Sequence, residues 1–150
     1  MTLWMMIVKM SEGLSKTCAI FFLTLIFSLP FGDYIDTASG LKVCVSNWRR
    51  VDDNAIPPRA KVAGSYANTA LIKTDAHNAG YDDAIVLSQG GVVTEGSAMN
   101  LFIIQKGKLI TTKRTDNILE GVTRNTILEI AHKLNIETVE RDIDRSELYL

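Results

Sequence analysis

The sequence predicts a mixed α/β domain of the α+β kind, with strands paired in hairpins and helices packed beside them. Three observations predict this class. Between residues 84 and 112, apolar β-branched runs alternate with short glycine-bearing loops, which is typical of β-hairpins. Residues 65–80 and 123–134 have helical patterns. The length of 150 residues and the hydrophobic content of 47% suit one globular domain.

Charge and cysteine content argue against two classes of site. The 16 lysines and arginines nearly balance the 17 acidic residues, so the basic patch of a nucleic-acid-binding protein is not expected. Cys18 and Cys44 belong to no CxxC motif and to no Cys/His cluster, which gives no support to a metal or redox site. We expect both to be reduced, buried thiols of a cytoplasmic protein.

Residues 1–39 form a divergent, apolar N-terminal segment, and residues 40–150 form the principal domain. The apolar core of the segment, residues 18–31, is shorter than the roughly 20 residues that a membrane helix needs, so no membrane association is expected. Lys9 and Lys16 precede it, so a signal peptide or anchor stays open as an alternative, and so does a spurious or divergent N-terminus that packs badly. The Phe, Ile and Leu content of residues 20–29 favours a buried core strand.

The principal domain begins with a strand and a helix. Residues 41–48 alternate apolar side chains and predict a strand. Arg49 and Arg50 end it, and they are either a solvated strand end or residues with a specific role. A loop with Pro57-Pro58 follows, because two prolines disfavour both helix and ladder hydrogen bonds. Ser65 then opens a helix that Gly80 ends.

Two hairpins in series come next. The first turns at Gln89-Gly90-Gly91 and the second at Lys106-Gly107. Residues 123–134 predict an amphipathic helix, whose inward residues are expected to be Ile127, Ile130, Ala131 and Leu134. Residues 136–143 predict a last strand, and the capping-box spacing of residues 144–147 predicts the start of a further helix.

Lys61 is the first candidate for a chemical role. Its neighbours Ala60, Val62 and Ala63 are small or apolar. Most lysines are solvated surface charges, but apolar surroundings favour the neutral, nucleophilic form of an amine. A Schiff-base lysine requires that form, and we expect the Lys61 amine to be partly shielded from water.

Three motifs carry a family resemblance: RAKVAGSYANTALIK, AGYDDAIVLSQGGVVTEGSAMNLFIIQKGKL and ILEGVTRNTILEIAHKLNIETVER. In order and spacing they resemble the large, cofactor-binding domain of the branched-chain amino acid aminotransferases, which are fold type IV enzymes that use pyridoxal 5′-phosphate (PLP). The resemblance covers residues 40–150, although residues 98–100 depart from the usual family run. It implies a barrel-like β-core with hairpins and flanking helices, here incomplete.

The resemblance gives roles to five residues. It implies that Lys61 is the Schiff-base lysine and general acid/base, that Tyr66 hydrogen-bonds the phenolate oxygen of the cofactor, and that Glu95 pairs with its pyridinium nitrogen. It also implies that Val122 and Thr123 bind the phosphate at a helix N-terminus. From the residues alone, Glu95 could equally be an exposed strand residue, Tyr66 a core aromatic and Thr123 a plain N-cap.

The implied reaction is transfer of the amino group of leucine, isoleucine or valine to 2-oxoglutarate. The implied partners are small-molecule amino acids and 2-oxo acids, with the enzyme as a homo-oligomer. Two other fold type IV enzymes, D-amino acid aminotransferase and aminodeoxychorismate lyase, stay open as alternatives. So does a non-catalytic remnant, because the sequence offers no candidate for the arginine with which the family's small N-terminal domain binds the phosphate, or for the substrate-carboxylate site. We expect the 150-residue chain alone to lack measurable activity.

Overall fold

In a computed structural model, the described residues are 40–149 and two short strands, β1 (Met5–Met6) and β2 (Leu25–Ile26). These strands pair antiparallel, with Met5 opposite Ile26. The chain divides into two compact units, Met1–Gly40 and Leu41–Leu150. Apart from β2, the core strand expected over residues 20–29 lies outside the described residues, and so does Cys18.

The first sheet of the larger unit contains three strands in the order β3-β4-β5. β3 (Val43–Arg49) is parallel to β4 (Asp83–Leu87), and β4 is antiparallel to β5 (Val93–Gly96). Parallel neighbours need a crossover connection, and helix α1 (Tyr66–Asn78) provides it. The predicted strand, helix and first hairpin are therefore confirmed.

The second sheet also combines a hairpin with a parallel pair of strands, but here the hairpin comes first in the chain. β6 (Phe102–Gln105) and β7 (Lys108–Thr111) form the second predicted hairpin. Helix α2 (Val122–Lys133) then crosses to β8 (Thr138–Glu140), which lies parallel to β7. The fold is thus of the predicted mixed α/β class. The strands of the larger unit form two three-stranded sheets. Each has too few strands to close, so the described residues contain no closed barrel.

Local turn chemistry explains why the second hairpin could be predicted. Lys106 and Gly107 both have positive φ, +51° and +76°. Two central residues with positive φ are the requirement of a type I′ turn, which matches the twist of the flanking strands. Of the two residues, Gly107 adopts a positive φ without steric cost.

Two hydrophobic clusters hold the larger unit together. Ile72 and Ala76 of α1 pack on Ala84 and Val86 of β4. A second cluster contains residues of both sheets: Leu87, Val93, Ile110 and Ile143. The half-buried thiol of Cys44 packs against the first cluster and is free, and burial raises its pKa.

The inward face predicted for α2 is partly wrong. Ile130 and Leu134 are 50% and 64% exposed, whereas Arg124 and Ala131 are buried. The cause is an ion pair: Arg124 Nη2 lies 2.8 Å from Glu140 Oε2 on β8, and it also donates to the Thr112 carbonyl. This contact rotates the Arg124–Ala131 side of the helix toward the sheet.

The chain's last described residues begin a helical turn, as predicted, but of a tighter kind. Residues Arg145–Tyr149 form a 3₁₀ helix. The Asp144 N–H donates to Glu147 Oε1 at 3.0 Å, which is one of the two bonds of a capping box. No helix in the described part of the chain is both long and apolar enough to span a membrane.

Candidate active site

Three of the five predicted site residues line one cleft. Lys61, Tyr66 and Glu95 come from three elements: the loop after β3, the start of α1, and β5. Val122 and Thr123 are not among its lining residues. They form the first turn of α2, and the loop leading into that turn does line the cleft through Leu119.

The Lys61 backbone has an unusual conformation. Pro58–Ala60 form one 3₁₀ turn, and the Lys61 N–H donates to the Pro58 carbonyl at 3.2 Å. Closing this turn leaves Lys61 at φ +50° in the left-handed region. A lysine there costs on the order of 1–3 kcal/mol, and such strained residues cluster at functional sites.

The expectation that the Lys61 side chain is partly shielded is wrong for this chain. Lys61 is exposed, and so are Val62 and Ala63 beside it. Apolar neighbours in sequence cannot cover an amine when their own side chains face solvent. The role of Lys61 as the cofactor lysine stays a prediction.

Tyr66 is the first residue of α1 and 37% exposed, so it is not a core aromatic. The preceding turn fixes its place. Ser65 is the N-cap residue, and its Oγ donates to the Val62 carbonyl at 2.8 Å. This arrangement directs the start of α1 to the cleft.

Glu95 is buried, with 7% of its surface exposed, which excludes the reading as an exposed strand residue. Its Oε2 accepts hydrogen bonds from Asn100 Nδ2 at 3.1 Å and from the Leu119 N–H at 3.3 Å. Burial raises the pKa of Glu95 to about 7, while Arg50 and the Leu119 N–H act in the opposite direction. A buried acid with a raised pKa that lines a cleft is a candidate functional residue.

Arg50 is the site residue that the sequence did not reveal. It is 7% exposed, so the reading as a solvated strand end is wrong. Its Nη2 lies 3.4 Å from Glu95 Oε1, and its guanidinium donates to the Gly96 and Ser97 carbonyls. Burial lowers the pKa of Arg50, opposed by the Glu95 charge. A buried acid needs a compensating cation, and that need is the one signal that could have indicated an arginine.

The N-terminus of α2 has no side-chain cap. Gly121 is the N-cap residue, with no capping side chain, and Thr123 lies within the first turn. Thr123 is therefore not a plain N-cap. The first-turn N–H groups of a helix have no partners within the helix, so they are available to an anion. Phosphate binding by Val122 and Thr123 stays a prediction.

The family model for Amino-transferase class IV matches residues 5–150. This chain belongs to the class IV aminotransferase family. Membership of this family, which the three motifs indicated, is thereby confirmed, and the two-sheet architecture agrees with solved structures of fold type IV aminotransferases.

The relatives of this class IV aminotransferase chain include proteins that are named as branched-chain amino acid aminotransferases. A probable branched-chain-amino-acid aminotransferase of Aquifex aeolicus is 53% identical over 125 residues, which are 83% of this chain and 40% of that protein. The branched-chain aminotransferase of Thermoproteus uzoniensis, solved with norvaline, aligns with a TM-score of 0.78 at 43% identity. That alignment covers 81% of this chain and 40% of the other.

A third relative was solved with the cofactor. The branched-chain amino acid aminotransferase of Thermobaculum terrenum, in its PLP-form, has a TM-score of 0.72 and 41% identity. The alignment covers 73% of this chain and 36% of that one. The chain thus spans about two fifths of the length of the relatives that it matches.

Proposed function

We propose that residues 40–150 are the cofactor-binding part of a PLP-dependent branched-chain amino acid aminotransferase. The observation that carries this proposal is the cleft that brings Lys61 and Tyr66 to the buried Glu95. An amine, a phenol and a buried carboxyl are the groups that a PLP site requires. When bound, PLP supplies an electron sink for charge that develops at the substrate α-carbon.

Glu95 is the residue that fits the pyridine nitrogen. Its carboxylate is held by Arg50 on one oxygen and by Asn100 and Leu119 on the other. Arg50 favours the ionised form of Glu95, and an ionised carboxylate would keep a proton on the ring nitrogen by charge pairing. We infer that Arg50 stabilises the ionised form of this acid against the effect of burial and holds its carboxylate in place.

Lys61 and Tyr66 fit the other end of the ring. The Lys61 Nζ would attach the cofactor and later carry a proton to and from the substrate α-carbon. The Tyr66 hydroxyl would donate to the phenolate oxygen. The first-turn N–H groups of Val122 and Thr123, with the Thr123 hydroxyl, would hold the phosphate, because helix N-termini attract anions.

For substrates, we propose leucine, isoleucine or valine with 2-oxoglutarate. The support comes from relatives named as branched-chain aminotransferases at 36–53% identity. It comes also from the norvaline and the PLP that two of the solved relatives contain. The same relatives favour this reading over a D-amino acid aminotransferase or an aminodeoxychorismate lyase. A cytoplasmic homo-oligomer completes the proposal.

A segment exchange tests the function. The 125-residue segment of the Aquifex aeolicus protein that matches this chain is replaced by the corresponding segment of this chain. We expect the hybrid to form glutamate from leucine and 2-oxoglutarate. Lys61→Ala should abolish glutamate formation, while the control Lys73→Ala should preserve it. A folded hybrid with no activity, or one that stays active with Lys61→Ala, would refute the proposal.

A further inference from the structure

The Asn100 side chain lies between Glu95 and the loop that leads into α2. Its Nδ2 donates to Glu95 Oε2 at 3.1 Å and to the Leu119 carbonyl at 2.8 Å. The Leu119 N–H donates to the same Glu95 oxygen at 3.3 Å. Asn100 and the Leu119 peptide groups thus form a closed set of hydrogen bonds around one carboxylate oxygen.

The amide orientation of Asn100 follows from its neighbours. An amide nitrogen has two N–H groups to donate, and its oxygen only accepts. Nδ2 faces two acceptors, the Glu95 carboxylate and the Leu119 carbonyl. The reversed amide would place its oxygen against both of them and lose both bonds.

Gly121 leaves the space that this arrangement needs. A Cβ on Gly121 would lie 2.5 Å from Asn100 Oδ1. The Gly121 backbone has φ −67° and ψ 144°, which any residue adopts. Glycine at this position therefore leaves room for the Asn100 amide in its present place, and the position does not depend on the backbone freedom of glycine.

The other carboxylate oxygen has a different partner. Arg50, at the end of β3, is the charged group that faces Glu95 among the described residues, and it approaches Oε1 at 3.4 Å. Arg50 ties the acid to the first sheet. The bonds through Asn100 connect the acid to the loop before α2. Each carboxylate oxygen is therefore held by a different part of the chain.

We propose that Asn100 is a positioning residue that couples the acid Glu95 to the N-terminus of α2, with Gly121 providing its space. The coupling keeps a constant separation between the Glu95 carboxylate and the first-turn N–H groups of α2. The coupling rests on the proposed function in one respect, which is that the Glu95 carboxylate and the N-terminus of α2 contact the same ligand. The hydrogen-bonded link itself needs no ligand.

The test follows the titration of Glu95 in the cofactor-free protein by ¹³C NMR of labelled glutamate carboxyls, with Glu95→Gln to assign the signal. Asn100→Ala removes a hydrogen bond to the charged form, so the pKa of Glu95 should rise by about one unit. Gly121→Ala should raise it similarly by displacing the Asn100 amide. The control Asn125→Ala, an exposed residue of α2, should leave it unchanged.

The double variant separates coupling from two independent defects. Once Asn100 is alanine, the Cβ at residue 121 has no amide oxygen to displace. The double variant Asn100→Ala/Gly121→Ala should therefore titrate like Asn100→Ala alone, whereas independent effects would add. A second readout is PLP affinity by absorbance, expected to fall about tenfold for Asn100→Ala at an energetic cost of about 1.4 kcal/mol.

Additive rises, or an unchanged Glu95 titration in Asn100→Ala, would overturn the proposal. If Asn100→Ala does not fold, Gly121→Ala carries the test alone, and an unchanged titration there is equally decisive against it. The failure of the proposed function is distinct. A protein that does not bind PLP but shows the expected titrations would refute the function and retain the coupling.

Discussion

Arg50 and Glu95 form an ion pair in which both side chains are buried, with 3.4 Å between Nη2 and Oε1. Neither charge would be stable in that place without the other, because the cost of removing an ion from water is several kcal/mol. The pair connects the end of β3 to β5, and both residues line the cleft.

Removal of the arginine should therefore destabilise the fold. Arg50→Met leaves the Glu95 carboxylate buried without a cation and also frees the Gly96 and Ser97 carbonyls, which should lower the free energy of unfolding by about 3–5 kcal/mol at pH 8. Urea denaturation measures this change. The matched control is Arg49→Ala, since Arg49 is exposed, and it should cost less than about 0.5 kcal/mol. Equal effects of the two substitutions would show that the pair is not buried.

Stability should fall as pH rises toward neutrality. Glu95 has its pKa raised from 4.5 to about 7, so between these values the folded state binds more protons than the unfolded state. Glu95 contributes its full stabilisation of the folded state below pH 4.5, and this contribution is lost as the pH rises through 7. The free energy of unfolding should fall by at most about 3 kcal/mol over this range. Glu147 acts oppositely and only at lower pH, because Arg141 holds its pKa at about 2.

Glu95→Gln provides the comparison for that pH dependence. The amide does not titrate, so the fall in unfolding free energy between pH 4.5 and pH 7 should be smaller in the variant than in the parent. Denaturant midpoints measured at several pH values give both curves. Parallel curves would contradict the titration assigned to Glu95.

The same substitution should impair chemistry more than cofactor binding. In the hybrid enzyme, Glu95→Gln should lower kcat by about 100-fold or more, equivalent to about 2.7 kcal/mol, because a neutral amide cannot hold the pyridine proton. PLP affinity should change much less, since the phosphate contacts are untouched. The control is Glu137→Gln on the surface. An unchanged kcat would place Glu95 away from the ring.

The elements that the sequence predicted correctly are those set by neighbouring residues. Lys106-Gly107 encodes its hairpin in two residues, and Ser65 and Gly80 bound α1 as expected. The capping bond from Asp144 to Glu147 is equally local. Each of these depends on contacts within a few positions of the chain.

The predictions that were wrong concern residues whose burial depends on contacts with distant parts of the chain. Arg50 is buried because Glu95, far along the chain, needs a cation there. Ile130 is exposed because Arg124 pairs with Glu140 on another element. The motif containing Lys61 indicates a family and a candidate role, but it does not determine which surfaces cover the amine.

The assignment of the cofactor site is tested by locating PLP on the chain. The protein is equilibrated with PLP, reduced with borohydride, digested and mapped by mass spectrometry. We predict that the pyridoxyl group is found on Lys61, that Lys61→Ala removes the label, and that Lys73→Ala retains it. A label on Lys42 or Lys73 in the unaltered protein would contradict the assignment of this cleft as the cofactor site.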